Sequence, residues 1–304
     1  MGFLQWLEGI RIPVVNEFML AITYLGDEVA FLALALILFW CVDKRHGYYI
    51  MSVGFVGTIT TQFMKLACRV PRPWERMEGF SILEEAREGA AGFSFPSGHA
   101  QSSVGSFGSL AVIAKKKWIR YLAIAIAVLV PFSRMYVGVH TPVDVLVGSA
   151  VALALIVVLK PLIYKNDGKL FPGLMGVMVA LAACYLCYVE FYSFPEALEN
   201  SHNLISGREN AYTLFGAVLA LIPVYVIDRK WLNFPTEAVW WVQIIKVVVG
   251  IGLVLLLKLC LKEPLNLLLG ELIGRAARYF LIVLFAGLAW PCCFRYLRSW
   301  GNKE

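Results

Sequence analysis

Charge is scarce in this sequence. Only 16% of its 304 residues are Asp, Glu, Lys or Arg, against about 25% in soluble domains. With 60% of positions hydrophobic, this excludes an ordinary soluble domain and a disordered chain. The net charge of +6 does not point to nucleic acid. Most basic residues stand in short loops between apolar runs, where charge sets membrane topology. Histidine is scarcer still, with four in the chain. The seven cysteines lie almost all in apolar stretches. Cys184 and Cys187 have CxxC spacing, but inside Leu-Ala-Ala-Cys-Tyr-Leu-Cys-Tyr-Val. That setting reads as core packing before a redox or metal role. Cys292 and Cys293 are candidates for acylation. Near the start, Glu8, Arg11 and Glu17 interrupt any apolar core of a signal peptide, so no cleavable leader is expected.

What the chain has is long apolar runs. A membrane helix needs about 20 mainly apolar residues. Nine stretches meet that rule, near 27–42, 47–68, 98–114, 118–136, 142–164, 172–191, 211–228, 238–261 and 272–297. The fold expected is therefore all-α, a polytopic transmembrane helical bundle. Residues 3–24 are amphipathic and are expected at the interface. The loops after the odd-numbered spans carry Lys44-Arg45, Lys115-Lys116-Lys117, Lys165, Arg229-Lys230 and Arg295. The loop after the sixth holds Glu190, Glu196, Glu199 and Glu209 against Arg208 alone. The positive-inside rule puts the odd loops and the C-terminus in the cytoplasm.

Three blocks of chemistry-bearing residues fall on the other face. Lys65 stands seven residues before Arg72-Pro73, then comes Pro96-Ser97-Gly98-His99, then Ser133-Arg134, His140 and Asp144. If a helix begins at Thr141-Pro142, Asp144 lies one turn past His140 and can accept from one imidazole nitrogen. The other nitrogen is then free to attack, which is the logic of a triad with histidine as nucleophile. His99 opens the third span, where free N–H groups and the helix dipole favour phosphate, and it can protonate a leaving oxygen. Gly98 permits close backbone approach, and Ser97 adds a hydroxyl. Lys65, Arg72 and Arg134 supply the positive charge that phosphoryl transfer needs. Any one of these cations alone is equally explained by snorkelling at an interface. Three blocks in order on one face are not.

The connection over 69–97 carries Glu75, Glu78, Glu84, Glu85 and Glu88 and ends in Gly89-Ala90-Ala91-Gly92. It reads as a solvated charged face, with a lid over the site as the sharper alternative, and a surface helix over 81–90 is compatible with it.

Together the three blocks resemble the signature of the type 2 phosphatidic acid phosphatase (PAP2) superfamily. The resemblance covers about residues 47–165. It implies His140 as a nucleophile forming a phosphohistidine, Asp144 as its orienting partner and His99 as general acid. It also implies Lys65, Arg72, Ser97, Gly98 and Arg134 as phosphate ligands, with no metal and no cofactor. Residues 1–165 are then a catalytic membrane core and 166–304 a transmembrane extension of the same compact domain. The nine-span layout is similar to that of glucose-6-phosphatases and sphingosine-phosphate phosphatases. In the extension, Glu271 and Arg275 are placed to pair along one helix, whereas Lys246, Arg275 or Arg278 could instead line a headgroup pocket.

The function expected is a membrane phosphatase acting on a lipid phosphate monoester or diphosphate among membrane lipids, with no nucleic acid partner. The alternatives are a sugar-phosphate phosphatase, a lipid phosphotransferase and, outside catalysis, a phosphate-binding or transport protein. The last would suit degenerate histidines, and here both are intact.

Overall fold

Local capping sets where the site-bearing helices begin. Asp43 accepts from Arg45 N at 2.7 Å ahead of a helix over Lys44–Cys68. Ser97 accepts from Ala100 N at 3.3 Å. Thr141 and Asp144 cap reciprocally: Thr141 N donates to Asp144 Oδ2 at 2.7 Å, and Asp144 N to Thr141 Oγ1 at 3.3 Å. That is a capping box with Pro at the first helical position.

The computed structural model describes residues 2–87, 89–165, 169–199 and 201–300. In chain order the helices are α1 (Gly2–Gly9), α2 (Pro13–Tyr24), α3 (Glu28–Cys41), α4 (Lys44–Cys68), α5 (Pro73–Arg76), α6 (Gly98–Ser103), α7 (Ser109–Ile113) and α8 (Lys117–Tyr136). They continue as α9 (Pro142–Tyr164), α10 (Phe171–Phe191), α11 (Glu196–Glu199), α12 (His202–Ile227), α13 (Trp240–Cys260), α14 (Lys262–Leu269), α15 (Glu271–Leu284) and α16 (Phe294–Trp300). Among the described residues there is no strand, so the all-α expectation holds.

The nine expected spans come out fewer. Among the described residues, six helical segments are long and apolar enough to cross a membrane, or up to seven if a bent pair is one span. The bent pair is α2 with α3, at 52°, so 27–42 does not stand as a span by itself. The stretch 47–68 lies within α4, which has 25 residues. Its hydropathy is diluted by Ser52, Thr58, Thr60, Thr61 and Gln62, and Ser52 and Thr61 are buried in the protein rather than facing lipid. The stretch 98–114 is divided by a π-turn over Val104–Gly108 between α6 and α7.

Contacts divide the chain into two units. The first comprises 1–32, 50–161 and 193–207 and holds every motif residue. Its N-terminal segment packs against the rest of the unit. Leu4 and Leu7 are buried in one cluster with Leu20, Phe80, Ile82, Tyr136 and Val139. Arg11 Nε donates to Tyr136 O at 3.0 Å and its Nη1 to Ser81 O at 2.8 Å. Glu8 accepts from Ser81 N at 2.9 Å. The 69–97 connection is thereby pinned beneath α1 and α2. Within it the expected surface helix reduces to α5 and a single 3-10 turn over Glu84–Ala86; Glu88 lies outside the described residues.

The second unit comprises 33–49, 162–192 and 208–304. Two of its buried charges, Asp228 and Lys246, are satisfied internally, while the Nε of buried Arg278 has no hydrogen-bond partner among the described residues. Lys44 bridges Asp228 at 2.8 Å. Lys246 is fully buried, donates to Pro235 O and Thr236 O and lies 4.6 Å from the Phe294 ring centroid. Arg275 pairs with Glu209 at 2.7 Å and not with Glu271 as expected, because α12 brings a carboxylate closer than the helix's own first turn does. Cys184 and Cys187 are exposed, so the core-packing reading of that pair fails; both sit on an outer face of α10.

Candidate active site

The three sequence blocks converge within the first unit. Lys65 comes from the last turn of α4, Arg72 from the N-cap of α5, Ser97 and His99 from the start of α6, Arg134 from the last turn of α8. His140 and Asp144 come from the turn into α9. Lys65, Arg72, Ser97, Arg134, His140 and Asp144 are all buried.

Glycine at 148 makes this convergence possible. A β-carbon there would lie 2.4 Å from the Ser97 carbonyl oxygen, so only glycine lets α9 pack against the start of α6. Ser97 N then donates to Asp144 O at 2.9 Å, which ties the second block to the third. At Gly98 a β-carbon would meet nothing within 4 Å, so that backbone borders open space.

His140 sits against Arg72. Arg72 Nη1 lies 3.0 Å from His140 Nε2 and 3.5 Å from Nδ1. A guanidinium only donates, so the nearer nitrogen is the acceptor and the ring proton is assigned to Nδ1. Nδ1 faces Asp144 Oδ2 at 3.7 Å, beyond hydrogen-bond reach. The direct bond expected from the four-residue spacing is therefore not formed. Asp144 Oδ2 instead accepts from Ser94 Oγ at 2.7 Å and from Thr141 N. Burial, and then the charges of Arg72, Arg134 and Lys65, hold the His140 pKa well below its ordinary value, so the imidazole is neutral. Burial also pushes Arg72 down to about 10, against the pull of Asp144 and Glu75, which leaves it cationic at neutral pH.

The three cations share one strap of backbone. Gly89 O accepts from Arg134 Nη2 at 3.3 Å. Ala91 O accepts from Lys65 Nζ at 3.3 Å and from Arg72 Nη2 at 2.9 Å. Gly92 O accepts from Arg72 Nε at 3.0 Å. The glycine-rich stretch at the end of the 69–97 connection is thus the cradle that aims the cations. Its carbonyls are neutral and add no negative charge of their own. Arg134 Nη1 donates to Thr23 Oγ1 at 2.8 Å, while its buried Nε has no partner among the described residues. Such an orphaned donor is costly unless an anion supplies the missing acceptor.

His99 has a partner that the sequence reading did not include. Its Nε2 lies 2.7 Å from Asp27 Oδ1. Asp27 sits in the break between α2 and α3; an acid following Gly26 between two apolar runs was the available signal. Ser94 and Thr141 were missed as supports of Asp144, although Thr-x-x-Asp is a capping pattern. Among the described residues no three His, Cys, Asp or Glu side chains group as metal ligands.

Comparison with known proteins matches this arrangement to a family. The PAP2 superfamily model covers residues 45–167, and a PAP2 superfamily phosphatase transmembrane extension covers 212–302. The chain belongs to the PAP2 superfamily. Among its PAP2 relatives, an undecaprenyl-diphosphatase of Sulfolobus acidocaldarius is 29% identical over 140 residues, covering 45% of this chain and 66% of the relative. Undecaprenyl-diphosphatase BcrC of Bacillus subtilis is 30% identical over 146 residues, 46% of this chain and 70% of the relative. Phosphatidylglycerophosphatase B of the same organism is 30% identical over 164 residues, 50% of this chain and 76% of the relative. No solved structure matches the chain. The relatives are PAP2-type lipid phosphatases, and the protein is a multi-pass membrane protein with a PAP2 core.

Proposed function

We propose that this protein hydrolyses a lipid phosphate monoester or diphosphate through a phosphohistidine on His140, without a metal ion. The observation that carries the reading is the state of His140: neutral, its Nε2 the nitrogen turned to the Arg72 guanidinium, beside three cations, Lys65, Arg72 and Arg134, that form no direct ion pair with a carboxylate among the described residues. Two relatives named as undecaprenyl-diphosphatases favour a diphosphate as the substrate class.

In the first step Nε2 of His140 attacks phosphorus and the bond to the leaving oxygen breaks. His99 gives that oxygen its proton as an imidazolium; burial and then Arg134 lower its pKa to about 4, so it takes up that proton as the anionic substrate enters, with Asp27 balancing the charge. Asp27 holds the Nε2 side of His99, which leaves Nδ1 as the nitrogen for the leaving group. Lys65, Arg72, Arg134, Ser97 and the Gly98 N–H hold the phosphoryl oxygens as charge develops, the role filled elsewhere by a metal clamp. In the second step water attacks phosphorus, its proton passes to His99, and inorganic phosphate leaves His140. Asp144 steadies the imidazolium-like nitrogen through charge across 3.7 Å rather than through a direct bond. The loop charges favour a site facing away from the cytoplasm.

The test is turnover of a polyprenyl diphosphate and of phosphatidylglycerophosphate by the purified full chain, with and without EDTA and vanadate. We expect chelation to have no effect and vanadate to inhibit. Turnover lost on chelation and restored by a divalent ion would reject the metal-free mechanism.

A further inference from the structure

We infer that the transmembrane extension carries an oxyanion site of its own, where Arg278 and Asn266 hold a phosphoryl group with a hydrogen-bond donor beside it. Both residues lie in the stretch matched as the extension, 212–302, and in the second unit. Arg278 is 5% exposed. Among the described residues its guanidinium has no hydrogen bond and no ion pair, and its Nε is buried without a partner. Its one aromatic contact is with its own neighbour, the Tyr279 ring, at 5.5 Å. A guanidinium keeps its charge in a protein and only donates. Burying such a charge with neither a carboxylate nor a carbonyl against it is strongly unfavourable, above all inside a membrane helix. The neighbouring cations are provided for: Lys246 donates to two carbonyls, and Arg275 has Glu209 at 2.7 Å.

The face that carries Arg278 also carries an orphaned acceptor. Gly274, Arg278 and Ile282 are the buried residues of α15, spaced by four and so stacked on one face. A β-carbon at Gly274 would lie 2.7 Å from Leu265 O and 2.9 Å from Asn266 Oδ1. Glycine there lets α14 fold back on α15 and brings Asn266 onto that face. Asn266 Oδ1 is itself buried with no partner among the described residues. Gly274 and Arg278 are about 6 Å apart along the helix. A fork of donors and a lone acceptor about one turn apart complement a phosphoryl group that has a hydroxyl next to it. The guanidinium matches phosphate oxygens in fork geometry, and Oδ1 accepts from the hydroxyl. A glycerol phospholipid headgroup has both groups, and so does hydrogen phosphate, whose protonated oxygen is the donor. A choline headgroup has the phosphate without the donor. A water molecule would bridge the two orphans but brings no charge to Arg278.

The test uses the purified full chain. Native mass spectrometry reads retention of phosphatidylglycerol and of phosphatidylcholine, and the thermal midpoint reads binding of inorganic phosphate. Neither phospholipid carries a phosphate monoester, so turnover does not enter the readout. Phosphate held at the catalytic site contributes alike to wild type and variant, so dependence on Arg278 isolates this site whether or not the mechanism above holds. We expect one phosphatidylglycerol to be retained in preference to phosphatidylcholine. Arg278→Gln should weaken it about tenfold or more, the scale of lost charge-assisted hydrogen bonds, and Arg278→Lys should restore part of that. Asn266→Leu should lower the preference for phosphatidylglycerol and leave phosphatidylcholine as it was. Asn266 is only half-buried, so this variant reads the site even where Arg278→Gln folds poorly. A phosphate-induced midpoint shift that needs Arg278, with no lipid retained, assigns the site to the free anion. Lipid retention and phosphate shift both unchanged in Arg278→Gln, or both unchanged in Asn266→Leu, would overturn the inference.

Discussion

Arg72 and His140 touch, with Nη1 3.0 Å from Nε2, so the cation stands beside the nitrogen proposed to reach phosphorus. The same guanidinium bonds three carbonyls, those of Ala91, Gly92 and Val139. Its fork therefore locks the strap over 89–92 to His140, the proposed nucleophile. Binding a phosphoryl group has to draw part of that fork off the imidazole ring and onto the substrate.

Arg72→Lys is for this reason not a mild change. An ammonium is a point charge and cannot hold three carbonyls and a ring in fixed directions. We expect kcat/KM to fall at least about 10²-fold, the scale for losing one preorganised charge-stabilising group, and vanadate to bind more weakly. Near-normal vanadate affinity in Arg72→Lys would mean that the fork geometry is irrelevant.

The same contact sets a pH dependence. The His140 pKa is held well below its ordinary value by burial and then by Arg72, Arg134 and Lys65. A depressed imidazole pKa means that the nucleophile is neutral at neutral pH and is lost only as pH falls through the lowered value. The acid limb of kcat/KM due to His140 should thus lie below about pH 6.5, the unperturbed value. Arg72→Gln removes one of the positive neighbours, so the limb in its residual activity should move to higher pH. A limb that stays put or moves down would assign it to another group.

Gly148→Ala tests the packing beneath the site. The added methyl would lie 2.4 Å from a backbone oxygen, which cannot swing away as a side-chain end could. Overpacking of this kind costs about 1–3 kcal/mol, and here the displacement falls on the Ser97–Asp144 link. A lower thermal midpoint together with lower turnover is the expected pair. Loss of turnover at full stability would point to a direct role for the glycine in substrate contact.

Much of the site was legible because phosphate chemistry needs particular residue types, and these keep their spacing in sequence. Lys65, Arg72, His99, Arg134, His140 and Asp144 could be picked out without a structure. Their supports could not, since carbonyls at Gly89, Ala91 and Gly92 have no side-chain identity to read, and Asp27 lies 72 residues from His99. The four-residue spacing of His140 and Asp144 predicts a direct bond. The helix begins so close behind His140 that the carboxylate turns back to cap it at Thr141 instead. Span counting agrees with the apolar helices α8 to α10; α4 is helical over the expected 47–68 but is too polar to qualify by composition, with Ser52 and Thr61 buried among its neighbours. It failed at 98–114, where a π-turn divides the helix.

Asp27 and His99 supply the sharpest test of the proposed roles. If His99 delivers the proton, its value depends on the leaving group. General acid catalysis is typically worth about 10²–10⁴-fold, and a poor alkoxide needs most of it while an activated phenolate needs little. His99→Ala should therefore slow a lipid phosphate severely, slow an aryl phosphate mildly, and let phosphohistidine accumulate from the aryl substrate. His140→Ala should remove label and turnover on both. Asp27→Asn keeps the shape but takes away the charge that balances a protonated His99, so it should follow His99→Ala in direction with a smaller loss. In the double variant the two losses should not add, because a carboxylate acting through His99 has nothing to act on once the ring is gone. The reading is acid-labile, base-stable phosphate on the protein, variant by variant, beside kcat on the two substrates. Labelling of His140→Ala but not of His99→Ala would exchange the two histidines' roles. Additive losses from Asp27→Asn and His99→Ala would make Asp27 a separate contact rather than the partner of the acid.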